Sequence, residues 1–342
     1  MSISTIRLQQ FRNYQDRTFE FSPGVTVITG NNGIGKTNIL EALYIASLGK
    51  SFRDPDDLLT MHDQSWWRIE AHVDDTVRDV RYKDASKTIT INDKSYKRLS
   101  PQVALPVVLF EPDHLMLVHG SPSMRRSYID KQLAQYTPGY LTILRRYERV
   151  VAQRNKLLKH PHVDSDQLFV WDVSLAELAT KIIIKRSELV YEWNDSLSGL
   201  YTAISDKVDT IRVDYSTSPD NYSQRLLETL RRNLDRDRMI GTTSAGPHRD
   251  DMVFYLNDMN MEHNASRGEI RTLVLALKYH NAQQLETLYN TPPLLLLDDV
   301  FSELDETRQQ KLLASYTRNQ IVITTTHITE QLRRDTVSTI AL

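Results

Sequence analysis

The sequence predicts an α/β fold whose sheet is divided, along the chain, by a long helical insertion. Three observations carry this. Val25-Thr26-Val27-Ile28-Thr29 is a β-branched run that delivers the chain into Gly30-Asn31-Asn32-Gly33-Ile34-Gly35-Lys36-Thr37, and a stretch with helical spacing follows. Residues 66–92 break into short segments of the kind that form an antiparallel meander. From about residue 140 to 205 the apolar period becomes helical and stays so.

In chain order, residues 3–8 alternate as a strand and residues 18–21 supply a second. The octapeptide from Gly30 to Thr37 fits the pattern G-x-x-x-x-G-K-S/T. Such a loop is a phosphate site, because backbone N–H groups at a helix start converge on anionic oxygens and the lysine reaches the outer phosphates. Ile39, Leu43 and Ala46 share one face of the helix that follows, and Gly49 ends it. In the meander, Ile69, Ala71 and Val73, then Val77 and Val80, then Ile89 and Ile91 are parted by turn-forming residues. Residues 106–110 form another apolar strand, and Ser121-Pro122 opens a helix.

Tyr140, Leu144, Tyr147 and Val151 then step by four and three, and Trp171, Leu175, Leu178, Ile182, Leu189, Trp193, Leu197 and Leu200 continue the seam after a break at His160-Pro161-His162. This predicts two antiparallel helices forming a short coiled-coil-like arm, the second about 50 Å long at 1.5 Å per residue. The β pattern resumes at residues 251–256. The expected division is residues 1–120 with 241–342 as one split domain, and 121–240 as a helical insertion.

Pro292-Pro293-Leu294-Leu295-Leu296-Leu297-Asp298-Asp299 reads as a buried parallel strand ending in two acids. An acid at such a strand end holds the Mg²⁺ that bridges outer phosphates, with the Thr37 hydroxyl as a second ligand. Ser302-Glu303-Leu304-Asp305 follows, and a last β-branched strand, residues 320–326, ends at His327. Upstream, Ala265-Ser266-Arg267-Gly268-Glu269 opens a helix and makes a second anion-facing helix start.

Composition bounds the rest. The chain has 342 residues, 40% hydrophobic and 25% charged, with a net charge of −2. Binding to nucleic acid therefore has to come from local patches. The absence of cysteine excludes disulfide scaffolds, thiolate metal sites and cysteine nucleophiles. With no secretory signal at the start and no run of about 18 apolar residues, a cytoplasmic location is expected. Arg125-Arg126, Arg145-Arg146 with Arg149 and Arg154, Arg231-Arg232 with Arg236 and Arg238, and Lys94, Lys97 and Arg98 are local basic clusters. Each can contact phosphates or simply form a solvated face. No aromatic stacking platform accompanies them, so sequence-specific reading is not expected. Trp66-Trp67 reads as core, and His160, His162 and His248 lack metal-ligand spacing.

The order of phosphate loop, S-x-G-E segment, hydrophobic-strand acids, S-E-L-D loop and terminal-strand histidine resembles the ATP-binding-cassette (ABC) heads of SMC-like repair ATPases. FRNYQ at 11–15, GSPSMRRSYID at 120–130, GPHRDD at 246–251 and LLLLDDVFSELD resemble the RecF family most closely, over essentially the whole chain. The resemblance implies a P-loop NTPase of ABC-head type, a mixed sheet plus an antiparallel β meander, with the helical arm inserted. It implies two heads sandwiching two ATP molecules, with Mg²⁺, each ATP held by the loop of one subunit and the signature of the other.

On that resemblance, Gly30, Asn31, Asn32, Gly33, Ile34, Gly35 and Lys36 hold phosphates, and Thr37 and Asp298 hold Mg²⁺. Ser266 and Gly268 complete the partner's pocket, Asp305 crosses the dimer interface, and His327 senses the γ-phosphate. Arg12 and Asn13 lie beside the nucleotide, and Asp299 stands where most cassette ATPases have a glutamate base. The implied partners are single-stranded and junction DNA, a second copy of the chain, and RecR with RecO. The implied activity is slow ATP hydrolysis that times a clamp. Two other readings stay open at this level: a transporter's ATPase subunit, and a regulatory head that binds proteins without DNA. SRGEI departs from the signature's usual uncharged, glutamine-rich form, and Glu269 near a γ-phosphate would weaken a sandwich unless it points away.

Overall fold

The computed structural model describes residues 1–100, 102–160, 165–301, 304–332 and 337–342. The chain divides into two compact units, Met1–Leu115 with Lys278–Leu342, and Met116–Leu277.

The first unit holds two sheets. β1 (Ile3–Phe11), β2 (Tyr14–Glu20), β4 (Trp66–Val73), β5 (Thr76–Lys83), β6 (Ser86–Ile91) and β7 (Lys94–Tyr96) pair antiparallel in the order β2-β1-β4-β5-β6-β7. This is the meander expected from the sequence, enlarged by the first hairpin. The other sheet runs β14-β3-β13-β12-β8, from β3 (Val25–Thr29), β8 (Val107–Phe110), β12 (Leu294–Asp298), β13 (Ile321–Thr325) and β14 (Val337–Ala341), all parallel. β8, β12 and β13 are buried at every residue, the signature of a parallel sheet covered on both faces. Between the sheets lies α1 (Lys36–Leu48), whose Ile39, Leu43 and Ala46 join the apolar core with Trp67 and Phe11. Gly49, at φ 70°, ends it in the left-handed region. α9 (Glu306–Ser315) lies between β12 and β13 in sequence.

In the second unit, α2 (Pro122–Tyr136), α3 (Tyr140–Leu158) and α4 (Ser165–Ser205) precede β9 (Ile211–Tyr215), α5 (Tyr222–Arg232), α6 (Leu234–Ile240), β10 (Met252–Leu256), β11 (Met259–Asn260) and α7 (Met261–Asn264). α8 (Arg267–Tyr289) carries residues of both units. α3 and α4 pair along the expected seam, with Tyr140, Tyr147, Leu175, Ile182 and Trp193 all buried. Pro161 and His162, in the predicted break, lie outside the described residues. α4 has 41 residues, about 60 Å at 1.5 Å per residue, longer than expected.

Two expectations change here. β10, which the sequence reading gave to the split domain, pairs with β9 and β11 in a small antiparallel sheet of the second unit. Its burial alternates, one face packing on the buried core where the Phe254 ring lies 6.4 Å from Trp193, unlike the doubly buried parallel strands. The second unit accordingly runs on to Leu277, and α4 is a free-standing arm only in part. Its later half, with Trp193, Leu197 and Tyr201, is the core of an α/β lobe.

The lobe is pinned by buried ions. Arg154, fully buried, donates to Asp172 at 2.6 Å, to Asp237 at 2.7 Å and to Thr243 at 3.1 Å. Arg186 makes two bonds to Asp130 and one to the Pro247 carbonyl. The GPHRDD segment gathers the rest. Asp251 receives both arms of the Arg125 guanidinium at 2.7 Å, Asp250 accepts from Tyr215 and Thr217, and His248 Nδ1 lies 2.5 Å from the Tyr147 hydroxyl.

Candidate nucleotide site

The phosphate loop leaves the carboxyl end of β3 and becomes the N-terminus of α1. Gly33 and Gly35 carry φ of 79° and 111°, a region where a side chain is strained. A Cβ on Gly35 would lie 2.6 Å from Asn13 Nδ2 and 2.8 Å from the Tyr14 hydroxyl, so both side chains would have to shift to admit it. Those two side chains brace the loop from outside. Asn13 donates to the Ile34 carbonyl at 2.8 Å and accepts from Asn38, while Tyr14 donates to the Gly35 carbonyl at 3.1 Å. Burial pushes the Tyr14 phenol up to about 12, which keeps it a donor.

Lys36, itself buried, folds back over the loop and donates to the carbonyls of Gly30 and Asn31 at 2.9 and 3.1 Å. Its ammonium thus stands inside the cradle, and among the described residues its tethers are neutral acceptors that a phosphate oxygen would outcompete.

β12 brings Asp298 to the same place. Thr37 Oγ1 donates to Asp298 Oδ1 at 2.8 Å, so the two predicted metal ligands touch. Thr324 Oγ1, from the neighbouring β13, donates to the same Asp298 oxygen at 2.9 Å and accepts from the Asp299 N–H at 2.9 Å. One buried hydroxyl therefore orients both acids of the strand end. Burial pushes the Asp298 carboxyl up, while the two hydroxyl bonds pull it down. A hydroxyl beside a carboxylate at the lip of a phosphate cradle is an oxygen donor pair that suits Mg²⁺, a hard cation. Asp299 follows at φ 51°, which turns the chain sharply at the strand end.

The other predicted residues have other surroundings. The Arg12 guanidinium is bonded to buried Glu41, to Asp54 and to the Leu58 carbonyl, and those bonds raise its pKa in spite of burial. It ties the β1 end to α1, and of the pair only Asn13 touches the loop. His327 is exposed two residues past β13, and its ring makes no hydrogen bond among the described residues. Asp305 caps α9, accepting from the Arg308 N–H at 2.9 Å and pairing with the Arg308 guanidinium. Ser302 and Glu303 lie outside the described residues.

Ser266 and Gly268 belong to the second unit, at the start of α8. Glu269 Oε2 accepts from the Ser266 N–H at 2.7 Å and from its hydroxyl at 2.8 Å, a capping box closed within the signature itself. The acid thus points back onto the serine instead of away from it. Among the described residues, no cluster of three or more His, Asp or Glu could hold a metal, and no helix is long and apolar enough to cross a membrane.

Thr324, Tyr14 and Glu41 were not singled out from the sequence. Thr324 lies in a run where threonine reads as a strand former, and only the Asp298↔Thr324 register reveals its position.

Residues 2–340 match the family described as RecF/RecN/SMC N terminal domain. A DNA replication and repair protein RecF from Streptococcus equi subsp. zooepidemicus is 37% identical, the match covering 96% of this chain and 92% of the relative. A solved structure of the recombination mediator protein RecF with ATP, in the RecFOR pathway, superposes with a TM-score of 0.85 at 28% identity over 96% of this chain and 92% of that one. A second, RecF-ATPrS, does so with a TM-score of 0.88 at 27% identity over 100% and 96%.

Proposed function

The chain belongs to the RecF family of the RecF/RecN/SMC group, and from that premise we propose that it is an ATP-dependent DNA clamp of recombinational repair. The observation that carries this is the meeting of Thr37, Asp298 and the Lys36-covered loop at one strand edge. ATP would lie with its outer phosphates on Lys36 and the loop amides, and Thr37 and Asp298 would hold Mg²⁺, which would supply charge neutralisation at those phosphates. Asn13 and Tyr14 hold the loop in shape, and Thr324 holds the acids. His327 would sense the γ-phosphate, and Asp299 would act as the base that accepts a proton from the attacking water. Its side chain is one carbon shorter than the usual glutamate, and hydrolysis is correspondingly slow, because geometry governs a general base before its pKa does.

A second copy would supply Ser266 and Gly268 to this nucleotide, with Asp305 at the interface. ATP then joins two heads around gapped or junction DNA, with RecR and RecO as partners. The test is binding to gapped duplex DNA with and without ATP, with oligomeric state followed in the same samples. In the wild type, ATP should produce a dimer that binds DNA. Lys36→Ala should lose both, and a dimer whose DNA affinity does not respond to ATP would remove the clamp and leave a protein-binding head.

Glu269 offers a finer check. Glu269→Gln keeps an oxygen that can close the capping box but removes a negative charge from beside the partner's triphosphate. Two unit charges 4 Å apart interact by about 4 kcal/mol at an effective dielectric of 20. Recovery of a third of that, roughly tenfold in ATP-dependent dimer affinity, is the expected result in sedimentation experiments. An unchanged dimer constant would mean that Ser266 does not meet a nucleotide.

A further inference from the structure

Two groups of cations in the second unit contrast. Arg125, Arg154 and Arg186 are buried and bonded to acids, so their work is structural. Arg146, Arg149 and Lys181 are exposed and, among the described residues, make no ion pair or hydrogen bond. Yet these three converge. Arg146 and Arg149 stand one turn apart on α3, and Ser174, Glu177 and Lys181 stand at matching spacing on α4, around a cleft of about 300 Å³. Val150 and Leu178 complete its lining.

Three cations gathered around one acid raise the local positive potential of the cleft. Such a cleft attracts an external anion. Three positive groups against Glu177 leave the cleft with an excess of two positive charges, in a chain whose net charge is −2. The lining contains no aromatic ring to stack a base. Its side chains are long donors and a hydroxyl, the set that contacts phosphate oxygens and positions a nucleic acid without reading it.

We propose that the cleft between α3 and α4, through Arg146, Arg149 and Lys181, is a seat for the phosphodiester backbone of DNA. This rests on the clamp reading and adds to it a specific place of contact on the helical lobe.

Binding to gapped duplex DNA, measured with ATP present across a salt series, tests it. Each phosphate contact contributes about −0.9 to the slope of log affinity against log salt on duplex DNA. The triple variant Arg146→Ala/Arg149→Ala/Lys181→Ala should therefore flatten the slope by about 2 to 3, while ATP-dependent dimerisation stays as in the wild type. Arg231→Ala/Arg232→Ala, which removes exposed charge elsewhere on the same unit, should flatten it less. Glu177→Lys should steepen the slope by about 1 and tighten binding, a gain that misfolding cannot imitate. An unchanged slope in the triple variant, or an equal loss in the control, overturns the proposal and leaves the clamp intact. Loss of an acidic protein partner by the triple variant with DNA binding unaltered assigns the cleft to that partner and overturns it equally. Wild-type protein that binds no DNA at all brings down the clamp reading itself.

Discussion

Arg154→Met is expected to destabilise the second unit by about 3–5 kcal/mol, the cost of breaking a buried ion pair by removing one partner. Arg154 is fully buried, and so is Asp237, while Asp172 has a side chain only 13% exposed. Burial already pushes the Asp172 carboxyl up against the pull of Arg154. Without the guanidinium, two acids and the Thr243 hydroxyl lose their common donor, and the fully buried Asp237 has no water to replace it. At roughly 2–4 °C per kcal/mol for a unit of this size, the melting midpoint should fall by roughly 6–20 °C. Arg154→Lys keeps the charge but cannot span three acceptors, and should fall between the two. Urea unfolding followed through the buried Trp193 would measure both. A loss below about 1 kcal/mol for the methionine variant would mean that the acids find other partners or water.

Thr324→Val should weaken Mg²⁺-dependent ATP binding and hydrolysis by roughly 10- to 100-fold, the usual consequence of removing the group that orients a metal ligand. Valine matches the shape of threonine but offers Asp298 no donor and leaves the Asp299 N–H without its acceptor. The metal-free nucleotide should bind as before, because the loop and Lys36 are untouched. That split separates an effect on the acids from general damage to the fold. Thr324→Ser restores the hydroxyl and should restore most of the metal dependence. If titrations with and without Mg²⁺ shift together in Thr324→Val, the hydroxyl serves the sheet and not the metal site.

Much of the head was legible because its motifs couple composition to geometry. A doubly buried parallel strand has to be a continuous apolar run, so LLLLDD announces both its place in the sheet and the position of its acids. The phosphate loop is legible for a similar reason, since the φ values of residues 33 and 35 favour glycine and strain other residues. The helical lobe was harder to read. Its arginines look alike in the sequence, yet a signal was present. Extending the seam Tyr140, Leu144, Tyr147, Val151 by three residues reaches Arg154, and extending Leu178, Ile182 by four reaches Arg186. A charge on an apolar seam is a buried charge with a partner, whereas Arg145, Arg146 and Arg149 fall off the seam. β9 was missed because five residues, IRVDY, with only two buried positions carry too short an alternation to stand out before its partner β10 is known.

The parallel sheet also governs when, during synthesis, the protein can hold nucleotide. β3 pairs with β13 and β14, so the strand that feeds the phosphate loop finds its neighbours only after residues 321–341 have been made. The Gln320 side chain tightens the same closure by bonding to both the N–H and the carbonyl of Ile3. The lobe of residues 116–277 is encoded entirely between these partners, and contacts local to it can form on the ribosome first. Competence for ATP is thus acquired last, and a chain truncated before residue 321 would present a folded lobe beside a loop with no sheet to support it.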